Sequence, residues 1–303
     1  MMTQSKKQFA FIINPVAGNR RYKNIEREIY SYFASTDIDP LIYQTQYAGH
    51  AAVICRQLVE ESSSPAAIIA VGGDGTVNEV VNGIGLYGVP MGIIPNGSGN
   101  GFARHLGIPS SLEQVFTIIE KYYFTPVDLV RIGEKYSVNV SGVGFDALVA
   151  WRFQNSRSRG LFSYVRVAVS EFFTYKPEEY ELMIDGEMSR QKAFLISIAN
   201  SSQFGNNVFI SPQASVCDGY IDVCVMSPLP KWTALKLLYK LFCRKIDCSP
   251  YMARTKAKKV LLRQSGKFYH IDGEAVKGGA PLEAEIVEGA LRVIIPEQRK
   301  NLI

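Results

Sequence analysis

Two patterns of hydrophobic and polar positions divide the chain near residue 128. Before it, short runs that are apolar along their whole length alternate with segments whose apolar residues recur every three to four positions. Runs of the first kind are typical of buried parallel strands, and segments of the second kind are typical of amphipathic helices. The strands are predicted at residues 9–13, 41–45, 67–71 and 89–94. This alternation predicts a parallel sheet with helices on both faces.

After residue 128 the pattern changes to short strands at close spacing. Several of them alternate apolar and polar residues with a period of two, as in 282–287 and 291–295, which indicates strands with one buried face. A long aromatic and basic segment, 151–175, is predicted to be helical. We therefore predict an α/β domain over 1–128 and a mostly antiparallel β-sandwich domain over 129–295.

Three glycine-bearing loops follow predicted strands of the first domain: Asn14–Gly18 (NPVAG), Gly72–Thr76 (GGDGT) and Pro95–Gly101 (PNGSGNG). Ligands of parallel sheets bind at the carboxyl ends of the strands, where all three loops are expected. Glycine lets backbone amides approach phosphate oxygens closely, and the helix that leaves GGDGT adds its positive N-terminal end. Asp74 could hold Mg²⁺ on the phosphates, directly or through water. A lone Asp-Gly pair is more often a turn, but the full GGDGT between a buried strand and a helix favours a phosphate site.

The sequence IDGE occurs twice, at Ile184–Glu187 and at Ile271–Glu274. The first copy has strand pattern close on both sides, so Asp185-Gly186 predicts a hairpin turn. The second copy is followed by a glycine-rich stretch that is too long for a tight turn. We interpret Asp272 and Glu274 as residues of an open loop that is free to be a functional site.

Asp218-Gly219 is a further Asp-Gly pair, and it follows a loop at 212–217. Composition and pattern alone do not rank Asp218 against Asp272 as the more important carboxylate.

The composition of the chain limits the classes of protein to which it can belong. Of its 303 residues, 47% are hydrophobic and 20% charged, as in globular proteins, and the net charge of +5 is too small to indicate nucleic-acid binding. Five cysteines without a CxxC pair, and three histidines without HExxH, support neither a disulfide framework nor a zinc site. No stretch approaches the ~18 apolar residues of a membrane span. These features predict a soluble, cytoplasmic protein.

Together the motifs resemble the catalytic-domain family of diacylglycerol kinases and sphingosine kinases, in its bacterial lipid kinase form. The resemblance runs nearly end to end, and GGDGTVNEV at 72–80 followed by PNGSGNGFARHLGIP at 95–109 is its specific part. The other matches add order and spacing: NPVAG at 14–18, Thr45 with Gly49-His50-Ala51, GVGFDA at 142–147, Asn200, SPQASVCDGYIDV at 211–223 and HIDGE at 270–274.

The resemblance implies an enzyme that uses ATP and Mg²⁺ to phosphorylate a hydroxyl of diacylglycerol or of a sphingoid-type lipid. Asp272 would match the general base, with Glu274 beside it, and Asp74 would be the catalytic carboxylate that positions the metal and the phosphates. The resemblance also implies that the last strands return to the first domain, with residues 296–303 belonging to it.

The resemblance further implies two sets of ligand-binding residues. The magnesium site of the β domain would consist of the Asp218 carboxylate and the carbonyls of Ser215 and Tyr220. The nucleotide-binding positions would be Asn14, Pro15, Val16, Ala17, Gly18, Thr45, Gly73, Asp74, Gly75, Thr76, Val77, Asn78, Glu79 and Ser98.

A lipid substrate implies contact with a membrane, here the inner face, and two basic segments could make it: residues 231–245 and 152–166. Basic amphipathic helices bind anionic surfaces. For either segment alone, a helix packed on the β domain with a solvated basic face is the simpler interpretation. In the segment 231–245, the basic stripe consists of Lys236, Lys240 and Arg244. The opposite, apolar stripe consists of Leu235, Leu238 and Phe242.

Two alternatives to a lipid kinase stay open. An NAD kinase would share GGDGT, an acidic loop and a β domain, although NPVAG and HIDGE speak against it. A lipid-binding protein without catalysis is the other, and its support is Gly101, which stands where the family often has an acid. The intact Asp74 and Asp272 count against this second alternative. The expected partners are a lipid substrate at the membrane surface and no nucleic acid, with a homodimer left open.

Overall fold

The structure is a computed structural model that describes residues 6–18, 24–61, 64–156, 161–264, 268–278 and 281–299. It divides into two compact units, Met1–Val127 with Gly289–Ile303 and Asp128–Glu288. The helices are α1 Ile25–Phe33, α2 His50–Glu60, α3 Asp74–Ile84, α4 Gly101–His105, α5 Leu112–Lys121, α6 Phe145–Gln154, α7 Leu161–Thr174 and α8 Ala234–Phe242. Short 3-10 turns cover Lys231–Thr233, Ile246–Cys248 and Glu297–Arg299.

Strands form the sheets of the second unit and the centre of the first. They are β1 Lys7–Ile13, β2 Ile38–Gln44, β3 Ala67–Gly72, β4 Met91–Pro95, β5 Phe124–Ile132, β6 Lys135–Ser137, β7 Val140–Gly144, β8 Glu178–Ile184, β9 Glu187–Ala193, β10 Leu195–Ala199, β11 Gln203–Gly205, β12 Val208–Phe209, β13 Ile221–Met226, β14 Met252–Ala257, β15 Lys259–Gln264, β16 Phe268–Ile271, β17 Glu274–Lys277 and β18 Leu282–Ile294. Among the described residues, no helix is long and apolar enough to cross a membrane.

The first unit is built on a parallel sheet in the order β2-β1-β3-β4. The end of β18 continues it, with Val293 opposite Met91 in parallel register. Every residue of β3 and β4 is buried, which is why their sequences are apolar throughout rather than alternating. The predicted parallel α/β domain is confirmed.

The second unit is an antiparallel β-sandwich, as predicted. One sheet has the order β14-β13-β10-β7-β16-β17, and in the other β15 lies between β8 and the first half of β18. Apolar side chains of both sheets form one buried core, which includes Val143, Ile196, Val223, Val260 and Leu262. The alternating pattern of these strands therefore marks the face that each turns toward the core.

A second apolar cluster lies on the opposite face of the first of these sheets. Phe194, Cys224 and Met226 point away from the sandwich core and pack with Phe172 of α7 and with Ile246. The strands β10 and β13 are apolar on both faces for this reason, and residues of α8 cover part of the cluster.

Three predicted elements differ from the structure. The strand predicted over 136–143 is two strands, β6 and β7. The helix predicted over 151–175 is α6 and α7, and α6 begins at Phe145, after Gly144 with a φ of 100°. The two C-terminal β patterns are one strand, β18, which contains Gly289 with a φ of 58°. Arg157 and Arg159 of the basic segment lie outside the described residues.

Candidate active site

The three glycine loops of the first unit meet, as their positions after β1, β3 and β4 predict. Asn14 Nδ2 donates to Thr76 Oγ1 at 3.1 Å, which joins NPVAG to GGDGT. A Cβ atom on Gly97 would lie 2.5 Å from the Gly73 Cα, and one on Gly18 would lie 2.3 Å from the Asn96 carbonyl oxygen. The loops therefore touch backbone to backbone, at distances that exclude any side chain. We call this contact the glycine junction.

Asp74 lies at the glycine junction as the first residue of α3. Its Oδ1 accepts the backbone N–H of Gly101 at 2.7 Å, so its carboxylate is oriented toward the third loop. A negative charge in the first turn is stabilised by the helix dipole. Gly101 thus binds Asp74 through its backbone N–H. This contact does not need the acidic side chain that the family often has at this position.

Glu79 has a structural contact that the sequence did not indicate. Its two carboxylate oxygens accept the backbone N–H groups of Gly49 and Ala51 at 2.8 and 3.1 Å. These amides open α2, whose first N–H groups have no partner within the helix. Glu79 therefore ties α3 to the start of α2 and to the loop after Thr45.

The predicted nucleotide-binding positions differ in accessibility. Val77 and Asn78 are buried within α3, together with Thr76, so at these positions only small parts of each residue can face a ligand. Val16, by contrast, is 85% exposed. The other exposed positions are Pro15, Gly18 and Ser98, and the partly buried ones are Asn14, Ala17, Thr45, Gly73, Asp74, Gly75 and Glu79.

In the second unit, the prediction of an open loop at Asp272 is wrong. Ile271 pairs with Glu274 across β16 and β17, and the two residues between them form a tight hairpin turn. Asp272 and Gly273 have φ values of 48° and 86°, the positive φ at both central positions that defines a type I′ turn and favours Asp-Gly. The glycine-rich stretch follows β17 and is not part of the turn. Glu274 is exposed at the start of β17.

The Asp272 carboxylate is held by the segment between β6 and β7. Its Oδ1 accepts hydrogen bonds from Ser137 Oγ at 2.5 Å and from the Asn139 N–H at 2.9 Å. Its Oδ2 accepts the Val138 N–H at 3.0 Å. Three donors from a neighbouring segment fix the orientation of this carboxylate.

Asn200, one of the motif residues, supports the same segment. Its Nδ2 donates to the carbonyls of Val138 and Asp128 at 3.2 and 2.9 Å. Its own backbone N–H donates to the Asn139 carbonyl at 2.9 Å. The buried Asn200 thus holds the strand link that in turn holds Asp272.

A buried histidine connects the Asp272 hairpin to α6, a contact that sequence reasoning missed. His270 Nδ1 accepts the Gly273 N–H at 3.2 Å, so the ring proton belongs on Nε2. Nε2 lies 3.2 Å from Oδ2 of Asp146, and both side chains are nearly inaccessible. The same Oδ2 accepts Ser197 Oγ at 3.0 Å. Both residues stand in matched motifs, GVGFDA and HIDGE, but nothing in their spacing indicates that they touch.

Asp218 of the predicted magnesium site pairs with a lysine. Its Oδ2 lies 2.5 Å from Lys256 Nζ, and its Oδ1 accepts the Tyr220 N–H at 3.1 Å. The hydrogen bond to Asp218 raises the pKa of the Lys256 ammonium. Across the described ranges, no group of three or more His, Cys, Asp or Glu side chains could hold a metal ion. A carboxylate with two carbonyls still offers the oxygen ligands that Mg²⁺ prefers, and the Lys256 side chain, 45% exposed, can be displaced.

The chain combines an α/β unit that carries a glycine junction with a β-sandwich that carries a firmly held aspartate. Residues 8–132 match the diacylglycerol kinase catalytic domain, and residues 139–295 match the YegS C-terminal NAD kinase beta sandwich-like domain. The chain belongs to the family of bacterial diacylglycerol kinase-like proteins that combine these two domains. The resemblance seen in the motifs is confirmed, and the family supports a lipid kinase.

Individual relatives cover from three quarters to nearly all of the chain. A diacylglycerol kinase of Bacillus subtilis strain 168 is 26% identical over 302 residues, which is 97% of this chain and 98% of that protein. A diacylglycerol kinase of Mycobacterium tuberculosis is 29% identical over 240 residues, covering 76% and 77% of the two chains. The crystal structure of a diacylglycerol kinase from Bacillus anthracis strain Sterne superposes with a TM-score of 0.74 at 21% identity, covering 97% of this chain and 99% of that one. This last likeness supports the fold.

Proposed function

We propose that this protein is an ATP- and Mg²⁺-dependent lipid kinase that phosphorylates a hydroxyl of diacylglycerol or of a sphingoid-type lipid. The observation that carries the proposal is that the residues matching a diacylglycerol kinase catalytic domain, 8–132, are the ones that build the glycine junction. The named relatives that span nearly this whole chain add the lipid class of the acceptor.

The glycine junction would hold the phosphates of ATP. Its backbone amides can come close to phosphate oxygens, because the loops carry no side chains at their contacts, and α3 points its positive end there. Asn96 Oδ1 is buried beside Gly18 and has no hydrogen-bond partner among the described residues; as an acceptor, it would suit a nucleotide hydroxyl or a metal-bound water, and not a phosphate oxygen. The nucleotide would be contacted by Asn14–Gly18, Thr45, residues 73–79 and Ser98.

Asp74 would hold the Mg²⁺ that accompanies the nucleotide. When bound, Mg²⁺ neutralises the charge that develops on the transferring phosphoryl group. The bond from the Gly101 N–H holds the Asp74 carboxylate in a fixed direction, which is the pre-organisation that phosphoryl transfer requires.

Asp272 would accept the proton of the attacking lipid hydroxyl, with Glu274 as the second carboxylate of the hairpin. A general base must be oriented before its basicity matters, and the Ser137, Val138 and Asn139 donors orient Asp272. His270 and Asp146 would act through the turn as positioning residues, because His270 accepts the Gly273 N–H and Asp146 lies beside His270, and neither contact is with the Asp272 carboxylate.

The test of this function is an acceptor panel. The purified protein is incubated with labelled ATP and Mg²⁺, and separately with diacylglycerol, sphingosine, ceramide or NAD. We expect label in the diacylglycerol or sphingosine product and none in NAD. Label in NAD alone would replace the proposal by an NAD kinase, the second candidate, which the NAD kinase-like description of residues 139–295 favours. Label in no acceptor, with ATP still bound, would indicate a lipid-binding protein without catalysis.

A separate proposal concerns the magnesium site of Ser215, Asp218 and Tyr220. Because the Lys256 ammonium competes for the Asp218 carboxylate, Lys256→Met should strengthen Mg²⁺ binding there. We expect added Mg²⁺ to raise the unfolding temperature of Lys256→Met more than that of the wild type, and to have no such effect in Asp218→Asn. Equal Mg²⁺ responses in all three proteins would exclude this site without affecting the kinase proposal.

A further inference from the structure

The helix α8 and the 3-10 turn before it carry two apolar faces. The inner face consists of Ala234, Leu237 and Leu241, which pack against the apolar cluster that contains Phe172 and Ile246. This face accounts for the position of the helix on the second unit. It is the face that an ordinary packed helix would have.

The opposite side, which we call the outer face, is also apolar. Trp232 and Leu235 are 82% and 81% exposed, and Tyr239 is 58% exposed. The spacings of three and four residues place these side chains on one stripe. Leu238 and Phe242 flank the stripe at 38% and 39% exposure. The helix is packed on the second unit and has exposed basic residues, as the simpler interpretation expects, but its solvent side also carries large apolar residues that this interpretation does not explain.

Contiguous exposed apolar side chains of this size mark an interaction surface. The surface is fixed to the rest of the unit at its beginning. Lys231 Nζ donates to the Tyr175 carbonyl at 3.0 Å and also to the Phe172 carbonyl, at the end of α7. The outer face is therefore presented by a tethered element.

The charge within the segment that carries the outer face is entirely positive. The segment 231–245 contains five Lys and Arg residues and no Asp or Glu. Lys240 is occupied by the Cys248 carbonyl at 2.6 Å, and the Arg244 guanidinium lies 4.2 Å from the centre of the Phe209 ring. Lys236 and Lys245 are exposed, so these two ammonium groups are the ones placed to meet an external anion.

We propose that the outer face docks the protein on an anionic lipid bilayer. Trp and Tyr favour the boundary between headgroups and acyl chains, and lysines beside them attract anionic headgroups. With nine residues, α8 is roughly 14 Å long, less than half of the ~30 Å hydrocarbon core, so it lies along the surface. A second copy is a poorer occupant, because a two-fold interface would bring two cationic segments together. The inference deepens the proposed function, on which the choice of a lipid surface rests.

The first test measures vesicle binding by sedimentation. Wild-type protein is mixed with phosphatidylcholine vesicles, with or without about a third of phosphatidylglycerol, and we expect binding to the anionic vesicles. The double variant Trp232→Ala/Leu235→Ala should bind about a hundredfold more weakly, since each lost side chain removes apolar contact worth of the order of a factor of ten in affinity. Leu86→Ala is the matched control, because Leu86 is 56% exposed on the first unit, and it should bind as the wild type does.

The second test measures charge. Lys236→Glu/Lys245→Glu should weaken binding to anionic vesicles, and added salt should weaken wild-type binding in the same direction. Equal binding to neutral and anionic vesicles would overturn the claim that the lysines attract anionic headgroups. Undiminished vesicle binding by Trp232→Ala/Leu235→Ala would overturn the proposal that the outer face docks on the bilayer. A wild-type protein that is dimeric, with a variant that is monomeric, would also overturn it.

Kinase activity on a short-chain, water-soluble diacylglycerol separates this inference from the proposed function. The Trp232→Ala/Leu235→Ala variant should keep that activity while losing activity on vesicle-embedded diacylglycerol. Activity on the soluble lipid without any vesicle binding would overturn docking and leave the kinase intact. Vesicle binding that depends on Trp232 and Leu235, without activity on any lipid, would support docking and overturn the proposed kinase function.

Discussion

The two IDGE hairpins of the second unit have the same sequence and the same backbone but different surroundings. Asp185 and Gly186 have φ values of 48° and 95°, close to those of Asp272 and Gly273. Both carboxylates also accept two backbone N–H groups of another segment: Asp185 binds Lys258 and Lys259, and Asp272 binds Val138 and Asn139. The tetrapeptide thus specifies the turn, whereas the donors to its carboxylate come from segments that are distant in the chain.

The difference lies in what surrounds each turn. Asp185 is exposed, and Met183 stands where the second hairpin has His270. Asp272 is partly buried, has Ser137 as a third donor, and its turn is bound by a buried His270–Asp146 pair. The comparison teaches that the first hairpin is a structural turn, whereas the second is a turn around which a polar network has been built.

The largest expected effect comes from removing one carboxylate charge in each hairpin. Asp272→Asn should lower kcat by about 10²–10⁴-fold, the usual contribution of a general base, while Asp185→Asn should retain full turnover. Asn tolerates a positive φ, so both turns should persist, which circular dichroism checks. Initial rates with labelled ATP and dispersed diacylglycerol measure the effect. Equal losses in the two variants would show that the hairpins do not differ in function.

The two turn glycines provide a matched pair for separating stability from activity. A Cβ atom at Gly186 or at Gly273 would meet nothing within 4 Å, so alanine costs only its backbone strain, about 1 kcal/mol in each variant. Only Gly273→Ala should also lower kcat, by about tenfold, because a displaced Gly273 N–H releases His270 and shifts Asp272. Urea unfolding and steady-state kinetics give the two quantities. A loss of turnover in Gly186→Ala of the same size would contradict the distinction.

A smaller effect is expected from the third donor to Asp272. Ser137→Ala removes the hydrogen bond to Asp272 and the acceptor of the buried Ser141 hydroxyl. It leaves the two backbone donors to Asp272, so kcat should fall by about three- to tenfold, corresponding to about 1 kcal/mol. The KM for ATP should not change. Ser189→Ala is the control in the first hairpin, where the hydroxyl donates to the Leu182 carbonyl at 3.2 Å, and its kcat should equal that of the wild type. An unchanged kcat in Ser137→Ala would show that the backbone donors suffice.

The smallest effect concerns stability near the first hairpin and depends on pH. The Lys259 ammonium lies 2.8 Å from Glu283, and this hydrogen bond raises the pKa of Lys259 above 10.5 and lowers that of Glu283 below 4.5. The lysine contribution is present below its unfolded pKa and is lost as pH rises through the raised value. The glutamate contribution is present above its unfolded pKa and is lost as pH falls through the lowered value.

Lys259→Met should therefore lower the unfolding temperature slightly at neutral pH, by about 1 °C for so exposed a pair. The difference from the wild type should vanish at both ends of the pH range, below about pH 4 and above about pH 11. Thermal unfolding across that range measures it. A difference that stays constant with pH would mean that the lysine acts through packing, not through its charge.

The fold class and half of the candidate site followed from local patterns. Uniformly apolar runs indicated β3 and β4 as central parallel strands, because a strand covered on both faces has no polar side to show. The glycine junction followed as well, since loops after neighbouring parallel strands lie at one edge of the sheet. The hairpin at Asp185-Gly186 was predicted because strand pattern continues directly on both sides of it.

The remaining contacts were decided by tertiary structure. The hairpin at Asp272 was missed because β17 has only four residues and is followed by glycines, so the whole stretch after Asp272 was interpreted as a loop. The donors to Asp272 stand more than 130 positions earlier in the chain, and Glu79 binds α2 in the same non-local way. Likewise, helical periodicity shows that α8 has apolar stripes but not which of them the core covers. The sequence by itself determined which backbone conformations and which buried faces are favourable, because these depend on neighbouring residues. Only the folded chain decided which side chains meet, because hydrogen bonds and burial depend on distances in space.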